Sequence, residues 1–255
     1  MDAVVYIDGF NLFYGQMKGR PNKWLDLHQF AQKLVPTGTN IAKIKYFTAR
    51  VSGAQDPDAP KSQAIYLKAL STLSVVEVHF GSFLAKTIWR PSINVPIGGD
   101  PIACSTPSVT LPIGNHPVSS HKPSILPVGI FPPRGAPRST VAESPLPNAT
   151  IVKVHTMEEK GSDVNLAAHL VNDACSLQFD IAVVVSNDTD LITPVRMARQ
   201  KGKRVIIACP SKSGVATKLQ REASSVVHIH STMLRNSQFP TSLSGGAIQK
   251  PTAWL

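Results

Sequence analysis

Two aspartates, Asp188 and Asp190, stand one residue apart after the apolar run of VVVSNDTDL, Val183 to Leu191. A third, Asp8, directly follows VVYI near the start of the chain. If strand direction persists through Asp188 and Asp190, their side chains point to one side. Two carboxylates about 4 Å apart then repel by roughly 4 kcal/mol at an effective dielectric near 20. Clustered carboxylates either raise one another's pKa or take up a cation, and hard divalent ions prefer such oxygen ligands. The chemistry expected of these residues is therefore that of a divalent-metal site.

Such a site needs elements that bring the acids together. Asp8 falls at the carboxyl end of its strand, with Gly9 allowing a tight turn after it. Asp188 and Asp190 follow their own strand in the same way, and open α/β sheets bind ligands outside the carboxyl ends of their strands. A fourth acid lies in EEKGSDVNLAAHLVNDA, Glu158 to Ala174. There Ser162 reads as a helix N-cap and Asp163 falls in the first turn, where the helix dipole favours a carboxylate. A purely local role in starting the helix is the competing account of Asp163. Asp173 lies about 80° around the helix and some 15 Å along it from Asp163, which predicts a helix-surface acid or a group supporting the site.

Six β-rich runs alternate with helical patterns: Val4 to Ile7, Ile44 to Arg50, Val75 to Phe80, Ile181 to Ser186, Arg204 to Cys209 and Ser225 to Ile229. Apolar residues recur at helical spacing in Trp24, Leu27, Phe30, Ala31 and Leu34, in Leu166, Ala167, Leu170 and Ala174, and in Leu191, Val195 and Ala198. Alternation of this kind predicts parallel βαβ units in an α/β fold. Residues 91–150 break the rhythm, holding 13 of the 21 prolines with no sustained period. Proline at that density opposes regular structure, so the expected organisation is one domain over 1–235 interrupted by this insertion, with a tail at 236–255. Cys104, His116 and His121 within it lack metal-ligand spacing.

A net charge of +10 and a pI near 9.7 favour polyanionic partners such as nucleic acid. Three cysteines without a CxxC suit a reducing compartment. The start MDAVVYIDGF lacks the basic region and long apolar run of a signal peptide, and no other run reaches a membrane span. A cytoplasmic protein without membrane contact is expected. The 16 aromatics show no interleaving with basic residues, so stacking on nucleic-acid bases is not evident in the sequence.

Several segments together resemble the NYN-domain family, a branch of the PIN-like nuclease superfamily, and its bacterial LabA-like subgroup in particular. They are YIDGFNLFYG at Tyr6 to Gly15, EKGSDVNLAAHLVNDA at Glu159 to Ala174, VVVSNDTDL, and KGKRVII at Lys201 to Ile207. KYFTARV, VHFGSF and SQFP add weaker likeness, so the match spans 1–90 and 151 to about 240. The resemblance implies a three-layer, PIN-like (Rossmann-like) α/β sandwich with a mainly parallel central sheet. It also implies an acidic pocket for Mg²⁺ or Mn²⁺ and metal-dependent RNA cleavage leaving a 5′-phosphate. The family's acids fall on Asp8, Asp163, Asp188 and Asp190, and its turn asparagine on Asn11. Asn187 stands where many relatives have glycine, and the proline-rich insertion lies outside the family pattern.

On this reading Asp8 and Asp188 hold the ion directly, while Asp163 and Asp190 bind a second ion or orient the attacking water. Asn11 and Ser186 hydrogen-bond Asp8 or the phosphate. Thr193 and Pro194 read as the N-cap and first residue of the next helix, which frees Asp190 for the pocket. Arg50, Lys86, Arg90 and Lys160 are candidates for phosphate contacts, which give affinity without sequence information. A phosphatase of the haloacid dehalogenase type would need a second aspartate where Phe10 stands. A non-catalytic RNA-binding or regulatory protein remains the alternative, and homo-oligomerisation is left open.

Overall fold

The computed structural model describes residues 1–53, 56–92, 150–176, 179–211 and 214–254. The chain falls into two compact units, one formed by Met1–Leu84 with Glu159–Leu255, the other by Ala85–Glu158.

The first unit is built on six strands: β1 (Asp2–Asp8), β2 (Asn40–Thr48), β3 (Val76–Phe80), β6 (Ile181–Val185), β7 (Arg204–Cys209) and β8 (Ser225–His228). Their order is β3-β2-β1-β6-β7-β8, every pairing parallel. Residues 3–7 of β1 and all of β6 are hydrophobic and buried because both faces of the sheet are covered. Leu27, Phe30 and Ala31 of α2 (Leu27–Gln32), Tyr66, Ala69 and Leu70 of α3 (Ala59–Leu70), and Leu234 of α7 (Ser231–Arg235) pack on one face with Val5 and Ile7. Leu166 and Leu170 of α4 (Ser162–Ser176), Val195 and Ala198 of α5 (Ile192–Gln200), and Leu219 of α6 (Thr217–Glu222) pack on the other with Tyr6, Phe47 and Val184. The result is the expected three-layer α/β sandwich with a parallel sheet. Among the described residues, no helix is long and apolar enough to cross a membrane.

Five of the six expected strands match within two residues at each end; β2 instead begins at Asn40 and stops at Thr48, so Arg50 lies beyond it. Strand order reverses between β1 and β6, the place where α/β sheets of this order open a crevice at the strand ends. That crevice is where Asp8 and the segment after Val185 emerge.

The second unit contains most of a two-stranded sheet formed by β4 (Ser82–Ser92) and β5 (Thr150–Lys160). The expected boundaries of the insertion thus fall at its open end; residues 93–149, with Cys104, His116 and His121, lie outside the described residues. The C-terminal segment packs on the first unit, to which it belongs. Trp24 donates its indole N–H to the Pro240 carbonyl at 2.8 Å, and Trp254 packs edge-on against Trp24 and Tyr66.

Candidate active site

The chain leaves β1 through Asp8, which caps α1 (Gly9–Leu12) by accepting the Asn11 amide at 2.8 Å. Gly9 is required at this turn, because a Cβ there would lie 2.7 Å from the Phe47 carbonyl and 2.8 Å from the Tyr46 ring. The second Asp8 oxygen accepts the Ser186 hydroxyl at 3.1 Å. Ser186 in turn accepts the Asp188 amide at 3.2 Å. The Asn11 side-chain oxygen accepts the Asn187 amide at 3.2 Å. One set of hydrogen bonds therefore ties the ends of β1 and β6 together around a single carboxylate.

Asp8 is 4% exposed. Burial pushes its carboxyl up to about 6, and neighbouring Asp163 and Asp188 add to the rise. The Asn11 and Ser186 hydrogen bonds oppose it. Half-buried Asp163 is also raised, by desolvation first and then by Asp188, Glu159 and Asp190. Asp8, Asp163, Asp188 and Glu159 line an open cleft of about 690 Å³ together with Phe10, Asn11, Tyr14, Gly15, Asn187 and Ser211. Asp190 is exposed and lines an adjoining groove with Asp163, Glu159 and Lys160.

Several expectations require correction. The strand ends at Val185, so Asp188 and Asp190 do not share a face of it. Asp188 instead caps a short 3₁₀ turn, Thr189–Leu191, by accepting the Asp190 amide at 2.9 Å. The opposition that matters runs between elements, from Asp188 to Asp8 and Asp163. α5 begins at Ile192, so Thr193 and Pro194 lie inside its first turn. Ser162 opens α4 as a helical residue; its amide donates to Glu159 Oε1 at 3.1 Å and its buried hydroxyl has no partner. Ser186 is fully buried and donates to Asp8 at 3.1 Å, the first of its two expected roles.

Asp173 is 3% exposed, not a surface acid. It pairs with Lys45 at 2.5 Å and accepts the Tyr6 hydroxyl at 3.0 Å. Lys45 also reaches His169 Nδ1 at 3.1 Å. The 80° turn from Asp163 points this end of α4 at the sheet, where a buried lysine waits.

Of the expected basic contacts, Arg50 is exposed and stacks its guanidinium 4.7 Å from the Phe80 ring centre. Lys160 is exposed in the groove beside Asp163. Lys86 and Arg90 belong to the second unit. The sequence reading missed Glu159, Phe10, Tyr14 and the linking role of Asn187. Phe10 and Tyr14 had a legible signal, since residues four apart on one helical turn share a face.

The cleft presents carboxylate and amide oxygens to an ion and no sulfur or imidazole among its lining residues. Among the described residues, no three His, Cys, Asp or Glu side chains are gathered at metal-ligand spacing. Mg²⁺ takes oxygen donors of the cleft's kind, one or two carboxylates with the shell completed by water and phosphate oxygens. Asp8, buried at the strand end, and Asp188, at the cleft edge, are the carboxylates that could hold such an ion.

Comparison with known proteins adds three findings. The NYN-domain family profile matches residues 136–230. A curated protein of Pseudomonas putida, 6-hydroxy-3-succinoylpyridine 3-monooxygenase, is 29% identical over 213 residues, covering 76% of this chain and 54% of that protein. The chain thus spans about half the length of the curated relative it matches. A solved protein of unknown function from Vibrio parahaemolyticus aligns over 90% of this chain and 93% of its own, with 15% identity and a TM-score of 0.46.

Proposed function

We propose that the chain, whose residues 136–230 match the NYN-domain profile, is a Mg²⁺- or Mn²⁺-dependent endoribonuclease. The observation that carries the reading is the convergence of Asp8, Asp163 and Asp188 on one cleft at the reversal of strand order. NYN domains are a branch of the PIN-like nucleases, and the net charge of +10 suits a polyanionic substrate. A bound divalent ion would neutralise charge on the scissile phosphate and lower the cost of deprotonating water.

The chain's own residues do the rest. Asp8 and Asp188 would hold the ion, with the Asn11 amide and the Ser186 hydroxyl fixing the Asp8 carboxylate. Asp163, whose carboxyl is raised by burial first and then by its acidic neighbours, would orient the attacking water and accept its proton. Asp190, outside the main cleft, contributes field from the rim or supports a second ion. Arg50 and Lys160 supply contacts to flanking phosphates. LabA-like membership and a 5′-phosphate product follow from the sequence resemblance and belong to the same proposal.

Incubating a mixed RNA pool with the protein in Mn²⁺, and with EDTA as control, tests it. Metal-dependent internal cleavage supports the reading; RNA binding without cleavage in any divalent ion supports the non-catalytic alternative.

A second reading follows the name of the Pseudomonas relative, under which this chain would oxygenate a small aromatic ring. The sequence identity favours it, and Phe10 and Tyr14 offer ring contacts. Oxygen consumption on addition of 6-hydroxy-3-succinoylpyridine with reduced nicotinamide and flavin nucleotides separates the two.

A further inference from the structure

Strand β3 is an outer strand of the six-stranded sheet, paired with β2 on one side only among the described residues. Two bonds fix the direction of its backbone groups. Ile44 N–H donates to the Val75 carbonyl and Gly81 N–H to the Thr48 carbonyl, both at 2.7 Å. Residues 75 and 81 thus face β2, and Glu77 and His79 with them, because backbone groups alternate sides along a strand. Val76, Val78 and Phe80 face outward. The Val76 N–H already donates to the Leu73 carbonyl at 3.0 Å. The Val76 carbonyl and both backbone groups of Val78 and Phe80 are directed at the open edge. Such edges template further pairing and are ordinarily blunted by proline, lysine or a bulge. VEVHF carries no proline or lysine, and its register against β2 is unbroken.

This edge is complementary to itself. Antiparallel pairing with a second copy about a two-fold axis at Val78 sets Val78 opposite Val78, Val76 opposite Phe80 and Glu77 opposite His79. Val78 N–H then donates to the Val78 carbonyl of the second copy and Phe80 N–H to its Val76 carbonyl, and symmetry repeats both bonds. On the face where Val76 and Val78 pack on the core, the ring of Phe80, 41% exposed, covers Val76 of the second copy. On the other face Glu77 meets His79, whose Nε2 is buried without a hydrogen-bond partner, 3.7 Å from its own Glu77. An axis at Glu77 would set Glu77 against Glu77, so charge selects the Val78 register. The opposite outer strand, β8, has no acid to answer its histidine.

We propose that β3 is a homodimer interface, through which two copies of this chain join their sheets into one, with antiparallel β3 strands at the centre. The contact is independent of the chemistry in the cleft.

A five-residue edge with its flanks is a small interface, so sedimentation velocity of the full chain is followed up to about 100 μM. Wild type is expected to dimerise within that range. Val78→Pro removes the two central donors, and proline is tolerated on an outer strand where the missing N–H faces solvent. Phe80→Asp replaces an exposed ring. Each is expected to weaken dimerisation at least about tenfold with an unchanged circular dichroism spectrum. Should Val78→Pro fail to fold, Phe80→Asp decides. In wild type, exchange of the Val78 and Phe80 amide hydrogens is expected to slow as protein concentration rises, while the Glu77 and His79 amides are protected throughout. A wild-type monomer over the whole range, or a dimer that the folded variants retain, overturns the proposal. Protection of Val78 and Phe80 at every concentration in a monomer means that another part of the chain covers the edge, and overturns it equally.

Discussion

Ser186 Oγ donates to Asp8 Oδ2 at 3.1 Å, joining residues 178 positions apart in the chain. The bond crosses from β6 to β1 at the reversal of strand order and holds the most deeply buried acid of the cleft. In Ser186→Ala, Asp8 loses a donor and the Asp188 amide loses its acceptor. An unsatisfied buried group costs about 1–3 kcal/mol, so the variant is expected to melt lower by a corresponding amount. Its Asp8 carboxyl is expected to rise further, so more Mn²⁺ is needed for half-saturation near pH 6. Thermal melting and an electron paramagnetic resonance titration check both outcomes.

The same carboxyl predicts how metal-free stability changes with pH. Its folded pKa of about 6 stands above the ordinary 3.8, chiefly through burial. The folded state therefore binds this proton more tightly than the unfolded chain. Its contribution is full below about pH 4 and is lost as pH rises toward and through 6, a change of roughly 3 kcal/mol for this one group. In EDTA, Asp8→Asn is expected to flatten that part of the profile measured by urea denaturation. An unchanged slope would show that other groups produce it.

Lys45 and Asp173 form a buried pair at 2.5 Å beneath α4, with Tyr6 as a third member. Removing one partner leaves the other charge uncompensated, which costs about 3–5 kcal/mol. Lys45→Met is expected to show that loss in urea denaturation, and adding Asp173→Leu to recover much of it. Equal stability of wild type and Lys45→Met would mean that water reaches the site.

Asp188→Asn separates a ligand from a scaffold residue. An asparagine oxygen can still accept the Asp190 amide that Asp188 now accepts, while repulsion of Asp8 and Asp163 falls. The melting temperature in EDTA is expected to hold or rise, and the stabilisation by Mn²⁺ to disappear. A variant destabilised in EDTA with its Mn²⁺ response intact would make Asp188 structural.

What the sequence made legible follows physical range. β6 and β7 could be read because both are short, apolar and bounded by turns. Asp8, Asp163 and Asp188 could be read because strand ends and a helix start place them locally. β4 and β5 were hidden because their partners lie on opposite sides of a long proline-rich stretch, with no hairpin turn to announce them. Asp173 read as a helix-surface acid because it becomes tolerable inside only through Lys45, a partner 128 positions away. Asp190 was misplaced because the strand was carried past Val185, where the chain actually turns to cap itself at Asp188.

Cleavage of an end-labelled RNA pool by wild type and Asp8→Asn, across a Mn²⁺ titration, tests the central claim most directly. Asp8→Asn keeps the acceptor for the Asn11 amide and removes the buried charge that holds the ion. The account predicts internal cleavage by wild type that requires Mn²⁺, and loss of at least about a hundredfold in rate for Asp8→Asn with folding preserved. Equal metal-dependent cleavage by the two proteins would contradict it.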